Sequence, residues 1–325
     1  MLRLAGRRLI TAAATLLIVG LVVFALAGMS PGDPASSEGG EEGLARVSPE
    51  QRAEIKALYH LDEPILVRFA LWLRDVGEGN LGWSFHDRRP VSEKIAERLP
   101  VTLSLNLVSI TLMLGVAVPL GAAAAARRGS WVDRATGAAS YALYSVPAFW
   151  TALLLQIVFS VRLRWLPLHG LASPDADAWG IPARLLDGFA HLLLPAVCLA
   201  YPGIAYVSRF VRGTLVDSGL AEAGRAARAR GLSRSAVLIR HGFRQASVPL
   251  LTLAGFLLPA LVGGSVIIET IFAIPGLGRL YVEAMFERDV PVIMGLTLLS
   301  GAATLAGILV ADLAYAAADP RVRRG

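Results

Sequence analysis

Six arginines, Arg225, Arg228, Arg230, Arg234, Arg240 and Arg244, fall within residues 217–249, opposed only by Asp217 and Glu222. Ala223, Ala226, Ala227 and Ala229 lie among the first of them, so the surface is basic but short-chained and another protein can approach it closely. Composition alone equally allows a cytoplasmic loop that merely follows the positive-inside rule. Other residues with chemical potential are sparse. His60, His86, His169, His191 and His241 have no metal-ligand spacing, and the single Cys198 can form neither an intrachain disulfide nor a multi-cysteine metal site. No Gly-x-x-x-x-Gly-Lys-Ser/Thr stretch occurs, and the only lysines are Lys56 and Lys94, so the chain has no phosphate cradle for ATP hydrolysis. Nothing assembles into a nucleophile, base or metal constellation. The chemistry on offer is recognition, and any energy for active work must enter through a partner.

Two carboxylates lie nearest membrane depth, Glu269 and Asp312, and an intramembrane carboxylate is expensive enough to raise the question of function. The structural alternative is favoured for both. Glu269 is expected near an outer helix end, paired with a loop arginine, and Asp312 is expected to tie the last helix to a neighbour. His191 reads as a hydrogen-bonded core or interface residue.

The elements that must position these groups are membrane helices. With 55% hydrophobic and 17% charged residues in 325, the chain is more apolar and less charged than a soluble protein of its length. Its mean hydropathy is +0.57. Residues 9–28 form a first span after Arg3, Arg7 and Arg8. Ala25-Leu26-Ala27 imitates a signal-peptide cleavage site, but the apolar run exceeds the roughly 7–15 residues of a signal core, so it is read as a retained helix. Further apolar runs cover residues 101–126, 137–161 with Pro147 as a kink, 187–211, 247–271 and 291–317, giving six spans. Pro195 and Pro202 leave open a re-entrant split of the fourth. The organisation is thus 1–28 with the first helix, 29–100 as an external insert, 101–317 as a five-helix core with a cytoplasmic loop at 212–246, and a tail at 318–325.

Inside the insert, Ser48-Pro49-Glu50-Gln51 has the pattern of a helix start, with Ser48 as N-cap and Gln51 closing a capping box. Ile65, Phe69, Trp72 and Leu73 fall at helical spacing and make one apolar face, for packing or for the membrane surface. Gly77, Gly79 and Gly82 mark a turn. In the cytoplasmic loop, helix formers at 220–230 end at Gly231, and Ser233 can cap a second helix. A cytoplasmic N-terminus puts Arg127, Arg128, Arg134, the 209–244 arginines, Arg321, Arg323 and Arg324 inside with few acids, and leaves only Arg162, Arg164, Arg184, Arg279 and Arg288 in the short outer loops. Both termini are therefore expected in the cytoplasm. Topology accounts for the +6 net charge without nucleic acid.

The run Arg225-Ala226-Ala227-Arg228-Ala229-Arg230-Gly231, with His241 ten residues on, resembles the coupling loop of ABC-importer permease subunits in the dipeptide/oligopeptide/nickel group. Arg225 stands where the widespread motif has Glu, as is usual in the peptide branch, and the aromatic often found at the position of Ala223 is absent. Glu269 and Phe272 followed by Pro275, Gly276 and Gly278 look like the family's Glu-x-x-Phe-x-x-Pro-Gly-x-Gly segment. Pro31-Gly32-Asp33-Pro34, Leu61-Asp62-Glu63-Pro64, Gly79–Ser84, Arg288-Asp289, Asp312 with Tyr315, and Asp319-Pro320-Arg321 complete the pattern along nearly the whole chain.

That resemblance implies an all-α type I ABC-importer permease in the inner membrane, with Glu222, Arg225, Ala226, Ala227, Arg228, Arg230 and Gly231 meeting an ATPase. It also implies a second homologous permease subunit, two ATPase subunits that carry ATP and magnesium, and an extracytoplasmic solute-binding protein. This chain itself is expected to bind no cofactor. The rival expectations are an ion-gradient-driven secondary transporter, which needs paired broken helices and internal repeats, and a non-transporting membrane scaffold.

Overall fold

The computed structural model describes residues 2–29, 62–217 and 259–318, together with Ala229, Gly231, Gly242, Phe243, Leu250, Leu253 and Leu257. The regular elements are α1 (Leu2–Met29), α2 (Ile65–Gly77), α3 (Val91–Ala126), α4 (Trp131–Tyr144), α5 (Ala148–Leu155), α6 (Ile181–Asp217), α7 (Val266–Ile271), α8 (Leu277–Phe286) and α9 (Val290–Ala318). Beyond a single Trp83–Pro90 bridge, all regular structure among the described residues is helical. Helices satisfy their own backbone groups, which is what a hydrocarbon environment demands.

Among the described residues three helices, Val91–Ala126, Ile181–Asp217 and Val290–Val310, are long and apolar enough to cross a membrane. The pair Trp131–Tyr144 and Ala148–Arg162 qualifies as a fourth if taken as one crossing, though it bends by 94°. The expected kink at Pro147 is thus a full corner. Pro147 caps α5, and the Tyr201 hydroxyl of α6 donates to the Val146 carbonyl at 2.6 Å, meeting a group the corner leaves without a helical partner. Past α5 the chain continues as a π-helix, Gln156–Arg162. The fourth run forms one helix straight through Pro195 and Pro202, so no re-entrant split occurs there. The fifth run is interrupted at Gly263–Ser265 before α7, and most of its earlier part lies outside the described residues, as does the capping pattern at 48–51.

Two compact units emerge. The first comprises Met1–Thr102, Val262–Val266 and Pro275–Ala306. Its core joins Val91 and Ile95 of α3, Leu277, Leu280 and Ala284 of α8, and Val292, Ile293 and Leu296 of α9. A second cluster packs Phe24 of α1 on Phe69 of α2 with Val290 and Met294 of α9, flanked by Ile65, Trp72 and Leu73. The apolar face of α2 is therefore a packing face. The glycines after α2 make the expected turn, Gly79 and Gly82 both having positive φ.

The second unit comprises Leu103–Leu261, Ile267–Ile274 and Gly307–Gly325. In its core, Met113, Ala117, Ala122 and Ala125 of α3 meet Ala200, Val207, Val211 and Leu215 of α6. Small residues permit this approach. At Gly121 a Cβ would strike the Ser208 carbonyl oxygen and lie 2.9 Å from Val211 Cβ, so only glycine fits between these helices. Many large apolar side chains remain exposed, among them Ile10, Leu17, Ile18, Leu107, Trp150 and Leu186. A bilayer accepts such a surface where water would not.

Candidate functional site

At the loop end of the second unit, Ser130 caps α4 with its hydroxyl accepting from Asp133 N–H at 3.5 Å. Asp133 reaches back to accept from Gly129 N–H at 3.0 Å. The same carboxylate then receives Arg212 from α6, Nε donating to Oδ1 at 3.0 Å and Nη2 to Oδ2 at 2.8 Å. A two-pronged guanidinium–carboxylate pair fixes orientation as well as distance. Asp133 precedes the apolar run that starts at Gly137. Arg212 beside it, helped by the Gly129 N–H, holds its pKa down at about 2. One turn earlier on α6, Arg209 lies over the Tyr141 ring at 4.4 Å, and Ser208 meets Ser140 at 3.3 Å. The α4–α6 seam is thus stitched within the last described turns of α6, next in sequence to the arginine-rich stretch.

Within that loop, Ala229 is helical and exposed, and Gly231 sits in a turn at φ +84°. That is the left-handed geometry of a helix stop, which glycine adopts without strain. Glu222, Arg225, Ala226, Ala227, Arg228 and Arg230 lie outside the described residues. So do Asp319, Pro320 and Arg321; Asp312 falls within α9, its side chain outside the description.

The Glu-x-x-Phe-x-x-Pro-Gly-x-Gly segment divides between the units. In the second, Glu269 is fully buried and Phe272 nearly so. Its helix closes with Ile274 N–H donating to Glu269 O at 2.8 Å and Ala273 N–H to Thr270 O at 3.2 Å. This is the Schellman pattern, but with Ala273 at φ +52° where glycine is usual. The remaining end carbonyls are met by side chain and loop. Gln156 Nε2 donates to Ile271 O at 3.3 Å and to Leu168 O at 2.8 Å, and Gly170 N–H donates to Phe272 O at 2.9 Å. In the first unit, Gly276 caps α8 without a side chain, and Thr102 Oγ1 supplies the acceptor for Leu277 N–H at 2.8 Å. A Cβ on Gly278 would come within 2.7 Å of Val266 N, so the start of α8 rests on the backbone at the break in the fifth run. His191 is a buried structural residue, as expected: Nδ1–H donates to Asp187 O at 2.9 Å.

A polar cluster in the first unit was not anticipated. Asp289 is fully buried and accepts from the Ser84 hydroxyl, from Phe85 N–H at 3.1 Å and from Val292 N–H at 3.5 Å. Ser84 Oγ in turn accepts from Lys94 Nζ at 3.2 Å and Asp87 N–H at 3.4 Å, filling its capacity of one donor and two acceptor sites. Lys94 also pairs with Asp87 at 2.7 Å. Burial works against the Asp87 carboxylate, yet the Lys94 contact keeps its pKa below the usual range. The available signal was an aspartate directly before Val-Pro and a long apolar run, the pattern of a capped helix start. Among the described residues no group of histidine, cysteine and carboxylate side chains could hold a metal ion.

Comparison with known proteins covers the chain almost end to end. Residues 117–324 match the family described as binding-protein-dependent transport system inner membrane component, and residues 1–106 match its N-terminal counterpart. A putative peptide transport system permease protein of Brucella abortus is 41% identical over 98% of both chains. The oligopeptide transport system permease protein AppB of Bacillus subtilis is 36% identical, over 97% of this chain and 98% of its own. The dipeptide transport system permease protein DppB of Escherichia coli is 33% identical over 99% of both.

Proposed function

The chain belongs to the binding-protein-dependent transport system inner membrane components, and from that premise we propose that it is the peptide-conducting permease subunit of an ABC importer with both termini in the cytoplasm. It works beside a second, related permease, two ATPase subunits that bind ATP and magnesium, and a solute-binding protein that delivers cargo from outside. This chain binds no nucleotide itself. The cargo is a short peptide, on the strength of what the relatives transport.

The observation that supports the coupling role is the course of α6. It runs unbroken for 37 described residues, about 55 Å, up to Asp217, the residue at which the arginine-rich stretch of the sequence begins, and Arg212 ties it to Asp133. In this reading ATP-driven closure of the ATPases displaces the helix around Arg225–Arg230, and α6 carries the displacement into the membrane. A coupling free energy of about 1–3 kcal/mol per site biases such a two-state element.

The test is deletion of residues 220–231 in the assembled complex, followed by peptide uptake and ATPase assays in lipid. Insertion should persist while uptake falls to background. Normal uptake by the deletion variant, or uptake driven by an ion gradient without ATP, sinks the assignment.

A further inference from the structure

The first unit contains a cavity of about 200 Å³ between α1, α2 and α9. Leu16, Leu17 and Gly20 of α1, Trp72 of α2, and Met294 and Thr297 of α9 are among its lining residues. It is almost wholly apolar, as suits a hydrocarbon guest. Next to its lining residue Phe69, whose ring lies 5.6 Å from that of Phe24, the surroundings differ. Arg68, one turn before Trp72 on α2, lies over the Phe24 ring at 5.5 Å. Arg68 Nε and Trp72 Nε1 are both buried and find no hydrogen-bond partner among the described residues. Burial pushes the Arg68 guanidinium pKa down. Two buried orphan donors, one of them cationic, are costly in an isolated fold and call for an acceptor.

We propose that this groove binds an anionic phospholipid, its phosphate oxygens accepting from Arg68 and Trp72 and one acyl chain lying along α1 and α9. The dimensions agree. From Phe24, under Arg68, to Ala13 at the far end of the lining is eleven residues of α1, about 16 Å of helix, enough for much of an acyl chain. A guanidinium and an indole N–H at one end of an apolar channel match an amphiphile with a negative head. They suit neither a peptide nor a wholly apolar molecule. The position of an indole between polar and apolar surroundings is the one tryptophan favours at membrane interfaces. Lipid bound here fills the space between α1 and α9 and neutralises a charge that the described residues of the unit leave unmatched.

The proposal is tested on the intact permease–ATPase complex in phosphatidylcholine bilayers containing a small fraction of phosphatidylglycerol with a photoreactive acyl chain. Illumination should label peptides containing Leu16–Gly20 and Met294–Leu298, and Arg68→Gln should reduce labelling roughly tenfold. Trp72→Phe, which keeps the ring and removes the N–H, should reduce it several-fold. Ala13→Phe, which fills the deep end and leaves Arg68 in place, should shift labelling away from Leu16. Recovery of assembled complex is monitored for each variant, so a folding failure is not mistaken for lost binding. Equal labelling by photoreactive phosphatidylcholine, labelling unchanged in Arg68→Gln and Trp72→Phe, or a crosslink showing another protein segment seated in the groove overturns it.

Discussion

Each unit has an aspartate at the start of a helix, and the two are satisfied in opposite ways. Asp289, in the first unit, is fully buried and held by a hydroxyl and backbone N–H groups. Asp133, in the second, keeps 13% of its side chain exposed and is held by an arginine from another helix. Neutral donors let a carboxylate sit deep, because each is fixed by the fold and brings no second charge to desolvate. A guanidinium partner offers a stronger pull but must itself stay near water. The first arrangement anchors a loop to a helix start; the second clamps one helix to another. That suits a seam placed at the entrance of the proposed coupling loop.

Removing Asp289 should have the largest effect. Asp289→Ala leaves the Ser84 hydroxyl and Phe85 N–H buried without an acceptor and uncaps α9, costing about 3–5 kcal/mol. Thermal unfolding of the purified protein in detergent reads this directly. Asp289→Asn keeps one acceptor oxygen and should cost clearly less; equal losses from the two variants would break the contrast between neutral and ionic anchoring.

Arg212→Gln should cost less, about 1–3 kcal/mol, and its cost should depend on pH. The Asp133 pKa is depressed to about 2 from 3.8, so the folded state binds its proton less readily than the unfolded chain. The stabilisation is therefore complete above about pH 4 and is lost as pH falls towards 2. Unfolding of wild type and variant should differ by a constant amount at neutral pH and converge in that acid window. A gap that persists below it would assign the effect to packing of the Arg212 stem.

The smallest effect has the opposite sign. Ala273 holds φ +52° at the end of α7, a conformation costing an alanine about 1 kcal/mol that glycine adopts freely. Ala273→Gly should raise stability by a few tenths to about 1 kcal/mol in the same unfolding assay, after the entropy of a freer unfolded chain is set against the gain. A destabilised variant would mean that the methyl group matters more than the strain.

Local pattern made some of this legible. The spacing of Phe69, Trp72 and Leu73 gave the buried face of α2, Gly231 gave a turn of positive φ, and Pro147 gave the break in the third run, though not its angle. What depended on distant partners stayed hidden. The interruption of the fifth run at Gly263–Ser265 looks, in sequence, like ordinary small residues in a membrane helix. Gly278, which packs directly on that backbone, belongs to the next element. Likewise Ser84 and Asp289 are 205 positions apart, and no periodicity connects a turn serine with a helix cap so far along the chain. In sequence Arg212 is one of several arginines expected at the inner surface; its pairing with Asp133 depends on the fold. Of the proposed coupling residues, Gly231 has the expected geometry, while Arg225–Arg230, save Ala229, lie outside the described residues.

Gly121 bears on how force would travel. Where it meets Ser208 and Val211, two helices touch almost backbone to backbone, without the cushion of interdigitating side chains that lets neighbouring helices shear. To slip lengthwise, α6 would have to ride up over α3. Gly121 thus acts as a notch that resists lengthwise slip between the two helices.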